Sequence, residues 1–228
     1  MVTKTGADRR KPLTRGRIVD AAFTVIEREG LEAFSTRRLA RELDCEAMSI
    51  YHYFPSKAHL MDALVDRFIE QMELPEQSTP WRQRFDMLVA EMRRCALARP
   101  EFFRFFAIHR LNTPGGLGLL DWMLGIWFDA GFEPEMAARL FRLTGYYVTG
   151  GLLDETSGYA KGPSAVDPPG DDEIVNRYPR IATVGPYFRK GSFEPTFDLG
   201  IAILRDAYER ALAEQTAGGR EGSQKRQT

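Results

Sequence analysis

A chain of 228 residues, 43% hydrophobic and 28% charged, has the composition of an ordinary globular protein with enough length to bury a substantial core. No run approaches the ~18–20 uninterrupted apolar residues of a membrane span. The charged start MVTKTGADRRKPL has no apolar segment behind it, as a signal peptide would, and Cys45 and Cys95 form neither a CxxC pair nor a disulfide framework. These features predict a cytoplasmic protein with no membrane partner. The formal net charge of −1 is no nucleic-acid signature, but its distribution is uneven: residues 1–60 hold 11 Lys/Arg against 8 Asp/Glu, the remainder 20 against 24. Lys4, Arg9, Arg10, Lys11, Arg15 and Arg17 crowd the start of the chain against Asp8 alone. A basic arm ahead of an acidic body suits a protein of which one end meets phosphate. A solvated tail with no partner would carry the same charges.

Along the rest of the chain the helical period dominates. Ile18, Ala22, Val25 and Ile26 share one face of a helix that Gly30 ends. Leu60, Leu64, Val65, Phe68 and Met72 mark a second long helix, opened by Ser56 as N-cap and closed by Pro75. Phe85, Leu88, Val89, Met92 and Ala96 mark another, ending at Arg99-Pro100. Further helices are expected near 101–110, 116–130, 134–156 and 194–214. No alternating strand pattern, repeat or Asn-Gly hairpin signal appears, so the fold class is all-α. Residues 157–193, rich in Gly, Pro and acids, read as a long loop with room for one short helix; 215–228 read as a disordered tail.

Between Gly30 and Lys57 the helices become very short. STRRLAREL, with Ser35 as N-cap, gives about two turns and AMSIYHYF about two more. Between them Asp44-Cys45-Glu46 must reverse the chain, which needs a residue tolerant of left-handed geometry; Asp44 serves, less well than Gly. Leu39, Ala40, Leu43, Ile50 and Phe54 can face inward, with a long helix on each side to bury them. Two short helices joined by a tight turn on a supporting helix make a helix-turn-helix, whose second helix fits a major groove ~12 Å wide.

The stretch from Thr14 to Leu64 resembles the DNA-binding domain of the tetracycline repressor (TetR) family. The resemblance lies in RGRIVDAAFTVIEREG, then LEAFSTRRLARELDCEAMSIYHYFPSKAHLMDAL, with Thr-Arg-Arg-Leu-Ala, Ile-Tyr-x-Tyr-Phe and x-Lys-x-x-Leu in order and spacing. Asp44 departs from the family's usual Gly. The resemblance implies that Thr36 and Arg37 open the first short helix, reaching a phosphate and a base edge respectively. It places Ala47, Met48, Ser49, Tyr51 and Tyr53 on the recognition helix and Lys57 beside a phosphate. The chemistry agrees: a guanidinium grips guanine bidentately, hydroxyls and ammonium suit phosphate, and Met48 or Ala47 can touch a thymine methyl. The family's namesake has a base-reading glutamine where this chain has Ala47, so the operator must differ. Tyr51 has a second reading as a packing residue, and Arg38 reads as a solvated helix face.

Residues 75–214 resemble the family's regulatory domain more weakly, through AIHRLNTPGG, DAGFEPE, YYVTGGLLDE and FEPTFDLGIAILRDAYE. The last two would be long helices that pair with those of a second subunit. Gly145, Thr149, Gly150 and Gly151, with Leu152 and Leu153, would admit a partner helix; Phe197, Ile201, Leu204 and Tyr208 recur at helical spacing. Both stripes could equally be ordinary core. Phe105, His109, Thr113, Trp122 and Tyr147 are the expected lining of a pocket for a small apolar or aromatic effector. The resemblance also puts His109 and Thr113, with Asp154 of a second subunit, where the namesake has a metal site. Leu88 and Glu73 stand where that protein hydrogen-bonds its drug, so no metal and no cofactor are expected.

No GxSxG, Walker loop or HExxH is present, and His52, His59 and His109 lack metal-ligand spacing, so an enzyme is not expected. The expected organisation is a basic flexible arm (1–13), a three-helix helix-turn-helix domain (14–60), a helical ligand-binding and dimerisation domain (61–214) and a disordered tail (215–228). The expected function is a homodimeric regulator that binds a double-stranded DNA operator and is released by a small-molecule effector. A helical scavenging protein whose helix-turn-helix no longer binds DNA is the alternative.

Overall fold

The computed structural model describes residues 12–157, 165–188 and 193–224, with side chains to 217. All but two residues of the basic arm, and the last four of the tail, therefore lie outside the described residues. Among the described residues every regular element is helical: α1 (Arg15–Glu29), α2 (Thr36–Glu42), α3 (Ala47–Tyr51), α4 (Lys57–Glu70), α5 (Trp81–Ala98), α6 (Pro100–Phe106), α7 (Pro114–Ala130), α8 (Pro134–Ser157), α9 (Asp171–Arg177), α10 (Pro179–Val184) and α11 (Phe193–Gln224), with a 3-10 turn at Gly185–Phe188. The fold is all-α, with an N-terminal helix-turn-helix.

The chain forms two compact units: residues up to Met72 together with Arg99–Leu117, and Glu73–Ala98 together with Gly118 onward. The expected boundary at 60/61 differs from this, because Leu60 and Met61 lie inside α4, near its start. The reason is packing. Phe68 near the end of α4 meets Phe102 and Phe106 of α6 at ring-centroid distances of 5.5 and 4.6 Å, and Phe102 meets Phe23 of α1 edge-on at 4.9 Å. Each such pair contributes ~0.5–1.5 kcal/mol beyond its buried area.

In this first unit Thr14 caps α1, its hydroxyl accepting from the Arg17 amide, and Gly30 ends the helix at φ +82°, closing to Ile26. Ile18, Ala22, Val25 and Ile26 are fully buried, as their spacing requires. Asp44 has φ +50° and is the one non-glycine residue in the left-handed region among the described residues.

The second unit is centred on Trp127, Tyr208 and Phe85, with Trp127–Tyr208 at 4.9 Å and Phe85–Tyr208 at 5.8 Å. The Tyr208 hydroxyl shares a 2.9 Å hydrogen bond with Thr144 of α8. Residues 165–188 hold two short helices and a 3-10 turn, where the sequence suggests a loop with one. Helix α11 runs ten residues past the expected end at 214, and at the first of these Gln215 donates to the Gly131 carbonyl (2.9 Å) and accepts from the Glu133 amide. The stripe Phe197, Ile201 and Tyr208 is buried in its own chain, as is Leu152.

Arg84 is 1% exposed and donates through Nη2 to Asp129 (2.6 Å), while its Nε and Nη1 find no acceptor among the described residues. A buried cation with orphan donors favours specificity over stability. Arg84→Met should therefore leave stability unchanged or raise it by ~1 kcal/mol, whereas Asp129→Ala should cost ~1–3 kcal/mol by unpairing the guanidinium. Urea unfolding midpoints at constant slope measure both.

Candidate nucleic-acid interface and effector segment

Helix α3 has five residues, too few to persist alone. It is held because Ile50 and Phe54 are sunk into the first unit's core beside Leu39 and Ala40 of α2. That burial fixes which residues face outward. Met48 is 65% exposed, Ala47 and Ser49 are half-buried, and Tyr51 is exposed, not core, with its hydroxyl 3.2 Å from Thr36 Oγ1. Arg37 is exposed beside this hydroxyl pair, and no carboxylate meets its guanidinium among the described residues.

Its neighbour Arg38 is different. The sequence reads it as a solvated face, but it pairs with Glu29 at 2.6 Å. Arg28 pairs with Glu29 and with Glu42, both at 2.8 Å. Hydrogen bonds from Arg28 and then Arg38 lower the Glu29 carboxyl below its usual range. This network ties α2 to the end of α1 and leaves Arg37 as the uncommitted cation at the start of α2.

Two predicted contact residues hold the scaffold as well. Tyr53 donates its hydroxyl to the Leu13 carbonyl at 2.7 Å, and Lys57 donates to the Phe34 carbonyl at 3.0 Å. An ammonium has three donors, so Lys57 retains two for a phosphate. Sequence reasoning counted Arg15 only as arm charge. Its guanidinium donates to the Tyr53 carbonyl and lies 4.2 Å over the Phe54 ring, bolting the start of α1 to the end of α3. No local spacing signals a contact between residues 38 positions apart.

The expected effector residues divide between the units. Phe105, His109 and Thr113 belong to the first, where the Phe105 and His109 rings lie 4.5 Å apart. His109 Nε2 is 3.1 Å from Asp62 Oδ1, and Thr113 donates its hydroxyl to Asp66. Asp62 and Asp66 are one turn apart on α4, so the segment after α6 is held to that helix at two points. The start of α6 is held too: Glu27 of α1 accepts the amides of Glu101 (3.2 Å) and Phe102 (3.0 Å).

Trp122 and Tyr147 belong to the second unit, as does Asp154. Trp122 is half-buried. Tyr147 is committed to packing: its ring stacks on Phe197 at 5.6 Å and its hydroxyl donates to the Phe197 carbonyl at 3.0 Å. Gly200 permits this, since a Cβ there would collide with the Tyr147 hydroxyl. No group of three His, Cys, Asp or Glu converges as a metal site among the described residues. No described helix is long and apolar enough to cross a membrane.

Comparison with known proteins places this geometry. Residues 18–64 match the family model described as bacterial regulatory proteins, tetR family. The repressor DrrR1 of Streptomyces coeruleorubidus is 29% identical, over 89% of this chain and 80% of its own length. The class G tetracycline repressor protein of Vibrio anguillarum is 25% identical, over 88% of this chain and 96% of that protein. Among solved structures, the TetR family protein ActR of Streptomyces coelicolor in complex with (S)-DNPA superposes with a TM-score of 0.69. It is 25% identical, covering 89% of this chain and all of that one.

The Glu27 cap generates a pH test. Burial outweighs its two amide bonds and raises its carboxyl above the ordinary 4.5. Folding therefore favours the protonated form, so this group's stabilisation is full below pH 4.5 and lost as pH rises through the raised value. In Glu27→Gln that loss should vanish. The stability of the variant relative to wild type should rise with pH across this window in urea titrations, and a constant difference would contradict the assignment.

Proposed function

The chain belongs to the TetR family of bacterial regulatory proteins, and from that premise we propose that it is a homodimeric repressor. It holds a palindromic DNA operator and releases it when a small apolar or aromatic molecule binds. The observation that carries this reading is the exposed Arg37 next to the Thr36–Tyr51 hydroxyl pair and Met48, on short helices whose other sides are buried. These groups have the chemistry for a base edge, a phosphate and a thymine methyl on one surface. Ala47 and Ser49 fill the closest approach, and Tyr53 positions the recognition helix through Leu13.

Release requires that the effector bind the DNA-incompetent arrangement more tightly, since equal affinity for both shifts nothing. The segment 99–117 suits the sensing role. Its Phe105–His109 face offers an aromatic surface with one polar edge, and its ends are fastened to α1 and α4, the two long helices that frame α2 and α3. Thr113 and Asp66 fix the exit of the segment.

Two half-sites call for two copies. Leu199 and Ile203 of α11 are 61% and 56% exposed, and Leu143 and Tyr146 of α8 are exposed as well. This apolar face supports pairing through α8 and α11 better than the buried Leu152 or Phe197 does. The homodimer should scatter light at about twice the 25.9 kDa chain mass, and Ile203→Arg should shift it to the single-chain mass while leaving the helical signal intact.

Arg37→Ala should cost ~1–3 kcal/mol per half-site and relax preference at one base pair. Lys57→Ala should weaken binding to all sequences alike and lower the salt slope by about one per half-site. The measurement is affinity at several salt concentrations on single-base variants of an operator selected from genomic fragments. If neither substitution alters affinity, this surface does not bind DNA.

A further inference from the structure

In the second unit α5 and α11 run side by side and enclose a groove of about 510 Å³, within the range of small-molecule sites. Val89 and Leu97 of α5 and Phe197 and Ile201 of α11 give it an apolar floor. Behind the floor, the Phe193 and Phe197 rings stack at 5.5 Å. Charged side chains stand along both rims, and their pairing decides what the groove can hold.

Three guanidiniums line it, and each already meets a carboxylate. Arg93 is chelated by Glu155 at 2.8 and 3.0 Å and reaches Glu194 at 2.9 Å. Arg205 is shared by both oxygens of Asp86 at 2.8 and 2.9 Å. Arg94 grips Glu91 at 2.5 and 2.7 Å. An incoming anion would have to displace one of these partners. The acids are not matched in the same way. Asp86, Glu194 and Asp198 line it beside the three arginines, Glu155 and Glu91 reach Arg93 and Arg94 from outside the lining, and Asp198, exposed on the rim, has no ion-pair partner among the described residues. Among the described residues, the lining charge left without an ion-pair partner is that of Asp198, and it is negative.

We propose that this groove is a second ligand site, taking a small apolar cation whose charge rests against Asp198 and the outer edge of Glu194 while its hydrocarbon body covers Val89, Leu97, Phe197 and Ile201. It is separate from the effector segment around Phe105 and His109. It is also clear of the face proposed for dimerisation. Leu199 and Ile203 each lie one residue, ~100° of helical rotation, beyond Asp198 and Ala202, so pairing through them leaves the groove open.

Tetraphenylphosphonium and tetraphenylborate test this directly, being apolar ions of matched shape and opposite charge. Calorimetry on the full-length protein should show one phosphonium per chain, bound at least ~10-fold more tightly than the borate. Asp198→Asn should weaken phosphonium binding ~5-fold, the scale of a partly exposed ion pair, with the borate unaffected. Leu97→Arg, which places a cation and a long side chain over the floor, should abolish phosphonium binding. Both substituted residues are exposed, so the fold tolerates the changes. Equal affinity for the two ions, no phosphonium binding, or phosphonium binding that ignores both substitutions would each overturn the proposal. Operator binding is not read, so the outcome is independent of the DNA-binding assignment.

Discussion

The carboxylate of Glu27, accepting the amides of Glu101 and Phe102, joins α1 to a segment 74 residues further along the chain. Around that cap, Phe23, Phe68, Phe102 and Phe106 interlock, so that residues 99–117 fold as part of the DNA-facing unit. The chain leaves that unit at Met72, returns at Arg99 and leaves again after Leu117. Residues 99–117 are fastened at their start to α1 and at their exit to α4. Helices α2 and α3 are too short to persist alone, so they depend on this frame.

On the surface proposed to meet DNA, some groups are presented outward and others hold the scaffold. Arg37, Met48 and the Thr36–Tyr51 pair are presented outward, while Arg15, Tyr53 and Lys57 spend donors on carbonyls at 53, 13 and 34. Arg28, Arg38, Glu29 and Glu42 neutralise one another beside them. Exposed pairs of this kind contribute ~0–1 kcal/mol each. Their more useful effect is to neutralise the neighbouring arginines, which leaves Arg37 as the outward-facing cation at the start of α2.

Much of this was legible in the residues. Caps at Ser35 and Ser56, the stop at Gly30 and the left-handed Asp44 are local events, written where they occur, and the family signature covers the same fifty residues. The inward face of Ile18, Ala22 and Ile26 follows from helical period alone. Contacts between distant positions were not legible. Nothing near Tyr147 announces that Gly200 will let its hydroxyl reach the α11 backbone. The stripe of Phe197, Ile201, Leu204 and Tyr208 reads equally well as core or interface; Phe197, Ile201 and Tyr208 are buried within the chain, Tyr208 under Trp127 and Thr144, and Leu204 is half-buried. The compact unit extends to Met72 and regains Arg99–Leu117, beyond the expected 60/61, because periodicity sees a helix and not what packs on its far end.

The central claim is that effector binding reaches the DNA surface through the carboxylates that hold segment 99–117. The most direct measurement is operator affinity, with and without a compound found by thermal-shift screening, for wild type and for Asp62→Ala/Asp66→Ala. Wild type should lose ~5–150-fold in affinity on adding the compound, the usual span of allosteric coupling. The double variant should still bind both operator and compound, with most of that loss gone. If the compound releases the double variant from DNA as fully as it releases wild type, those contacts do not carry the response and the account is wrong.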